Sequence, residues 1–404
     1  VKTGLCGGTF DPLHNGHVAI VRAALASGLV DRVIVMPAGS PPHKQNEPVS
    51  AAAYRYEMAV RAFASDPAVT VSEREILRAG PSYTLLTVRE LRQTQAAEDE
   101  LMLIYGSDVV HDLEQWHEPA ALLAACPLLL ADRGGVAGRQ SRSQADLLTQ
   151  RYGARIRFFQ APALELSSSW IRQEVGQGRQ VGAYVPSAVD RLIERHGLYR
   201  HLADLAALTP DLRRRLSDLE RQLWPVLSRK RLLHSLNVMN YAIHLARVHG
   251  LDPEPAALAG LLHDCAKCHP LDEQIRLARL AGDPTLLSPP LAHGPAGSLF
   301  AARRFGVTDA AILRAILCHT TGCAGMTPLD QILFLADKVE PARTYDNLAE
   351  IRRLAERDLD QAMLLCLREI GCFLEREHLP AHPGTQLALA ELLDRLENAP
   401  SAPA

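Results

Sequence analysis

Aromatic residues are scarce, 5% of 404 positions, and the net charge is only -3, with acids and bases interspersed. No polybasic face builds up along the chain. That argues against a nucleic-acid partner, whose phosphate backbone is held by clustered Lys and Arg. Long apolar runs are lacking as well. The longest, Ala120 to Ala131, is interrupted by Pro127 and falls short of the ~18 residues that a membrane span needs, so it reads as a buried segment and no membrane partner is expected. The opening residues VKTGLCGGTFDP hold glycines and an acid where a secretory signal would place a basic stretch and an apolar run. A cytoplasmic location is therefore expected, and the eight cysteines read as reduced thiols rather than a disulfide framework. Neither the Walker loop nor the G-x-G-x-x-G fingerprint occurs, and no internal repeat is visible.

What is present is enough aliphatic sequence for two cores, and 404 residues exceed the size at which one core stops growing. In the first half, short apolar runs alternate with helical patterns. Thr3 to Cys6 precedes the helix His17 to Ala26; Arg32 to Met36 follows. Further on, Ser82 to Gln95 precedes Leu101 to Tyr105, Pro119 to Ala125 precedes Pro127 to Ala131, and Ile156 to Gln160 leads into a helix near Ser168. Continuously apolar strands alternating with helices predict an α/β, doubly wound parallel sheet covered on both faces, with ligands at the carboxyl ends of the strands.

Three of those strand ends are unusual. GGTFDPLHNGH, residues 7 to 17, places His14 and His17 three apart at a helix start, which is already an anion site. YGSD, 105 to 108, puts Asp108 just past a strand. LSSSWIR, 166 to 172, offers Ser167 and Ser168 as a helix cap with Arg172 one turn in. Each alone is more often a plain cap or turn; their joint placement points to a phosphate cradle.

GGTFDPLHNGH resembles the H-x-G-H signature of the nucleotidyltransferase superfamily, and LSSSWIR resembles its I-S-S-T-x-I-R partner. PAGSPPHK (37 to 44), GPSYT (80 to 84), GSDVVHDLEQW (106 to 116) and VPSAVDRLIERHGLY (185 to 199) resemble nicotinate-nucleotide adenylyltransferases in particular. The resemblance implies a Rossmann-like domain over 1–199 that transfers the adenylyl group of ATP, with Mg²⁺, to nicotinate mononucleotide. It implies catalytic roles for His14, His17, Lys44 and Arg172, and ATP contacts from Gly8, Thr9, Phe10, Gly106, Asp108, Ser167 and Ser168. Thr84, Trp116 and Arg133 would hold the nicotinate nucleotide, Trp116 by stacking. Leu86 and Gly134 stand where this family usually has an acid and a proline, which leaves nicotinamide mononucleotide as an alternative acceptor.

After Tyr199 the strand-like runs stop. Thr209-Pro210 is a break, so a linker is expected at 200–210, an all-α bundle at 211–397 and a frayed tail at 398–404. His234 shares a helix face with Val238, Tyr241 and Leu245, and His319 with Ile312, Ala315 and Ile316. Asp337 follows Leu333 by four. Ala256 to Leu262 is apolar all round, so the helix ending in His263-Asp264 should be central, and His293 precedes the helix-start signal Gly294-Pro295. A lone inward His is usually a satisfied core residue. Buried acids are costly unless paired, and a cation is the simpler way to satisfy two acids and four histidines together. Cys265, Cys268 and His269 spell the C-x-x-C-H of haem attachment, but Cys265 shares the apolar face of Leu258, Leu261 and Leu262 and is expected to be a core thiol.

The order His234, His263-Asp264, His293, His319, Asp337 resembles the HD-domain metal phosphohydrolases. HSLNV, LAGLLHDCAK, LAHGPAG, CHTTG and LFLADKVEPAR resemble the bacterial symmetrical diadenosine tetraphosphatases. That resemblance implies two metal ions, iron in the family, held by those six residues. His263 and Asp264 are central to it, and Lys267, Thr320, Thr321 and Arg343 would contact diadenosine tetraphosphate. Alternatives are another nucleotide substrate, or a metal-held regulatory module. Nothing in the sequence speaks to oligomeric state.

Overall fold

The computed structural model describes residues 1–44, 47–94, 99–132, 134–282 and 284–398. All but Asn398 of the expected frayed tail lies outside them. The chain divides into two compact units, the first Val1–Arg200 and the second from His201 onward.

The first unit is built on a parallel sheet of six strands: β1 (Lys2–Gly8), β2 (Arg32–Pro37), β3 (Val69–Val71), β4 (Glu100–Gly106), β5 (Leu128–Asp132) and β6 (Ile156–Gln160), in the order β3-β2-β1-β4-β5-β6. Their apolar centres are buried on both faces, as a helix-covered parallel sheet requires. Leu5, Leu103 and Leu128 join Met36, Leu85, Val88, Leu122 and Leu148 in one core cluster. Strand order reverses at β1, which pairs with β2 on one side and β4 on the other. The carboxyl ends of β1 and β4 therefore flank the crevice where such folds bind ligands. The glycine pair that ends β1 with the loop after it, and the GSD turn at the end of β4, both open there.

The second unit is helical. Helices Arg229–Val248, Pro253–Leu262, His293–Phe305, Ala310–Cys318 and Pro328–Val339 pack around a common interior. Every residue from Ala256 to Leu262 is buried, as expected for a central helix. Two close approaches set the geometry. A Cβ on Gly260 would stand 2.7 Å from Met239 Cα, and one on Gly294 would stand 2.7 Å from the Leu317 carbonyl oxygen. Only glycine lets the backbones of these pairs come so near. Pro210 begins the helix Pro210–Leu223 under a Thr209 cap, and the preceding segment holds the short helix Leu202–Ala206, so residues 200–210 are more ordered than a plain linker. Among the described residues, no helix is long and apolar enough to cross a membrane.

Candidate functional site

In the first unit, helix Asn15–Ala26 starts at the end of the β1 loop, with His14 at its N-cap and His17 in its first turn. The His14 amide donates to His17 Nδ1 at 3.2 Å, and the two rings stack at 3.7 Å. Phe10, buried with φ 52°, meets the His17 ring edge-on. Arg55, fully buried, braces this loop by donating to the carbonyls of Thr9 and Ala38 at 2.9 and 2.7 Å. The serine motif docks on the same loop. Ser167 caps helix Ser168–Gly176, the Ser168 hydroxyl donates to the Pro12 carbonyl at 2.9 Å, and Arg172 donates to the Asp11 carbonyl at 2.7 Å. Asp11 is a hub. Its carboxylate accepts the Tyr199 hydroxyl at 2.8 Å and the Ser50 amide at 3.0 Å. Burial and the Asp11 charge hold that phenol well above its ordinary range.

Across the crevice, Gly106 ends β4, and Asp108 is exposed on the short turn Ser107–His111. Trp116 packs edge-on against Tyr105 at 5.4 Å, and Thr84, which opens helix Thr84–Thr94, shares a hydrogen bond with the Tyr105 hydroxyl. Lys44 ends a short turn, Pro42–Lys44. Arg133 lies outside the described residues.

In the second unit, the six expected ligands converge (His234, His263, Asp264, His293, His319, Asp337). His234, His263 and Asp264 bring donor atoms within 4.8 Å of one another, and so do Asp264, His293 and His319. Asp264 belongs to both groups and faces them with different oxygens. Oδ2 lies 3.4 Å from His263 Nε2 and 3.8 Å from His234 Nε2; Oδ1 lies 3.5 Å from His293 Nε2 and 4.0 Å from His319 Nε2. Asp337 Oδ1 joins the first group, 3.0 Å from His234 Nε2 and 3.8 Å from His263 Nε2. Donors about 2.1 Å from one cation lie roughly 3–3.5 Å apart; the separations here, 3.0 to 4.0 Å, lie in or near that range in two groups that share Asp264, and each group could hold a cation.

The protonation pattern fits metal ions. His263 Nδ1 and His319 Nδ1 sit 2.8 and 2.6 Å from the Gly260 and Ile316 carbonyls, so each donates there and turns the lone pair of Nε2 inward. His263 Nε2 and Asp264 Oδ1 are buried without a hydrogen-bond partner, the orphaned atoms a cation would satisfy. Burial pushes His293 down to about 4 and His319 well below its ordinary range, so both are neutral. Burial opposes ionisation of Asp337, yet Lys338 and then His234 hold it well below the carboxylate range.

Around this centre, Lys267 donates to His293 Nδ1 at 2.8 Å, the Thr320 hydroxyl lies 3.2 Å from the Nε2 atoms of His293 and His319, and Arg343 donates to Asp337 Oδ1 at 3.1 Å. Thr321 does not join them; its buried hydroxyl donates to the Gly322 carbonyl. Cys265 is buried, with its thiol 3.4 Å from the Gly297 carbonyl, and Cys268 is exposed.

Residues 5–174 match the cytidylyltransferase-like family and residues 231–342 match the HD domain. A "probable nicotinate-nucleotide adenylyltransferase" of Moorella thermoacetica is 37% identical over 203 residues, covering 50% of this chain and 94% of that protein. The chain belongs to the nicotinate-nucleotide adenylyltransferase family. A relative of the same name from Synechococcus sp. (strain JA-3-3Ab) is 38% identical over 200 residues, covering 49% of this chain and 94% of its own. These adenylyltransferase relatives match about half of this chain, which carries an HD domain besides. A crystal structure of a predicted HD superfamily hydrolase involved in NAD metabolism, from Clostridium acetobutylicum, is 34% identical. It covers 44% of this chain and 96% of that one, with a TM-score of 0.43.

Several residues of this adenylyltransferase–HD chain escaped the sequence reading. Glu340, buried, lies 3.2 Å from His234 Nδ1 and accepts from Asn237 at 2.8 Å, so it orients that imidazole. Arg231 donates to Asp264 Oδ2 at 2.6 Å. Asp11, Arg55 and Tyr199 brace the first site. Glu340 could have been found as the acid one turn beyond Asp337; Asp11 and Tyr199 stand inside motifs quoted above, but their pairing, like the contacts of Arg55, spans distant parts of the chain.

Proposed function

We propose that the chain is bifunctional. The first unit transfers AMP from ATP to nicotinate mononucleotide, giving deamido-NAD and pyrophosphate. The second hydrolyses diadenosine tetraphosphate symmetrically to two ADP. The first assignment is carried by the meeting of the His14–His17 helix start with Ser168 and Arg172 at the point where strand order reverses, together with family membership.

In that reaction an acceptor phosphate oxygen attacks the α-phosphorus in line, the bond to the bridging oxygen breaks, and its electron pair leaves on pyrophosphate. The protein supplies placement and charge stabilisation with no covalent step. His14 and His17 donate to phosphate oxygens over the helix N-terminus, and Lys44, Ser168 and Arg172 draw charge toward the leaving group. Mg²⁺ arrives with ATP. Gly8, Thr9, Phe10, Gly106, Asp108 and Ser167 line the ATP side; Thr84, Trp116 and Arg133 hold the nicotinate side. The test compares adenylation of nicotinate and nicotinamide mononucleotides. A faster rate on the acid is expected, and preference for the amide would overturn the acceptor assignment.

The second assignment is carried by the two cation sites that share Asp264. When bound, a metal pair there supplies an activated water and a clamp on phosphoryl oxygens. The six donors admit iron, manganese or zinc by their chemistry; the family resemblance favours iron. Asp264 and Asp337 contribute the negative charge that offsets the cations. Lys267, Thr320 and Arg343, next to the centre, bind and orient the substrate phosphates. His263→Ala with Asp264→Ala is expected to abolish metal retention and hydrolysis while leaving adenylation intact. Persistent hydrolysis with altered adenylation would replace this reading with that of a regulatory module.

A further inference from the structure

A second cluster of metal-type donors lies outside both sites. His201, Asp204 and His244 bring donor atoms within 4.8 Å of one another. His244 lies on the same helix as His234, ten residues further on, which at ~1.5 Å per residue puts it about 15 Å from the HD centre. Asp204 Oδ2 is 2.7 Å from His244 Nδ1 and 3.8 Å from His201 Nδ1, and the two imidazole centroids lie 3.9 Å apart with their planes tilted by 33°. On the far side of the His244 ring, Nε2 stands 3.4 Å from Glu356 Oε1 without the alignment of a hydrogen bond. Both ring nitrogens of His244 thus face carboxylates.

We propose that His201, Asp204 and His244 form a structural transition-metal site of the zinc class, with Glu356 orienting His244 from behind. A cation in place of the Nδ1 proton, with the Asp204–His244 pair opening from 2.7 Å to the roughly 3–3.5 Å of ligands that share one ion, makes one arrangement serve every group. Asp204 and the two imidazoles become ligands, Nε2–H turns to Glu356, and a water completes the shell. Carboxylate–histidine–metal relays of this kind are a general feature of such sites, and two imidazoles with one carboxylate form a borderline-soft set that suits zinc or cobalt. The charge balance agrees. Asp204 and Glu356 both bring carboxylates to His244, and Arg247 lies 3.4 Å from Asp204 Oδ1, so a divalent ion suits the site.

The site gives the short helix Leu202–Ala206 a reason to hold its place. That helix buries none of its five residues, so apolar packing contributes little to it. Its ties to helix Arg229–Val248 are polar: Asp204 to His244, and Arg247 donating to the Ala203 carbonyl at 2.7 Å. A cation bridging the two helices would fasten the segment just past the unit boundary.

The test uses the full chain carrying His263→Ala and Asp264→Ala, so that the HD centre does not mask the count. After dialysis against zinc, one retained equivalent is expected, and none when His201→Ala is added. Cobalt(II) should give the visible bands of a four-coordinate ion in the first protein and lose them in the second. Zinc should also slow proteolysis within residues 201–209. His201 is exposed, so its replacement leaves folding intact. Should the HD double variant fold poorly, His201→Ala in the otherwise unaltered chain reads the same loss of one equivalent. Equal zinc content with and without His201, or none retained in either, would overturn the site.

Discussion

Asp264 is the residue on which the second unit turns. A carboxylate that faces two histidine pairs with separate oxygens could hold two cations at a fixed spacing, an arrangement a single-ion site does not need. Behind it, Glu340 keeps the His234 ring turned. Glu340→Gln is expected to lower metal affinity or hydrolysis by ~10–100-fold with adenylation unchanged, as read by metal titration and product assay. In the first unit, the role proposed for His14 is to donate to charge that grows in the transition state, so His14→Ala should cost ~10²–10³-fold in kcat with hydrolysis unaffected. A separate residue-scale outcome concerns Cys323. The hydrogen bond from Cys318 and the neighbouring Arg314 lower its thiol to about 7, whereas burial pushes Cys6 and Cys126 up to about 12. The thiolate is the reactive form, so alkylation of Cys323 should rise through a midpoint near pH 7 while Cys6 and Cys126 stay unlabelled in the folded protein. Mass spectrometry of each cysteine checks this; a midpoint in the ordinary thiol range would contradict it.

Helices place the ligands, and close backbone approach places the helices. His234 and His263 come from two helices whose contact is set at Gly260 against Met239. Gly260→Ala drives a methyl into backbone that has no side chain to move aside, an overpacking expected to cost about 1–3 kcal/mol. It should lower Tm and weaken metal retention together, since it spreads His234 from His263. A Tm loss with unchanged metal content would separate packing from the site. At this scale the sequence was legible wherever periodicity and burial agreed. Ile156–Gln160 and Pro119–Ala125 have the expected bounds, and the inward faces of His234 and His319 follow from helical spacing. β3 was missed because Val69–Val71 is too short to form a run. Arg231 was missed because RKR beside a serine cap reads as a solvated helix start. Arg55 and Tyr199 act through partners 46 and 188 residues away, and only the folded chain brings such residues together.

On the scale of the whole molecule, the proposed function puts two chemistries on one chain, both handling adenine nucleotides, with the described charged groups of each inside its own unit. Family membership covers the first half, and the HD domain with its Asp264-centred ligand set supports the second. The two should therefore be separable, with loss of either leaving the other near its original rate. The most direct measurement is product analysis of diadenosine tetraphosphate incubated with the iron-loaded full chain. The account predicts ADP as sole product, two per substrate consumed, and none from the protein carrying His263→Ala and Asp264→Ala. AMP with ATP, or no cleavage by a chain that retains its metal, would contradict it.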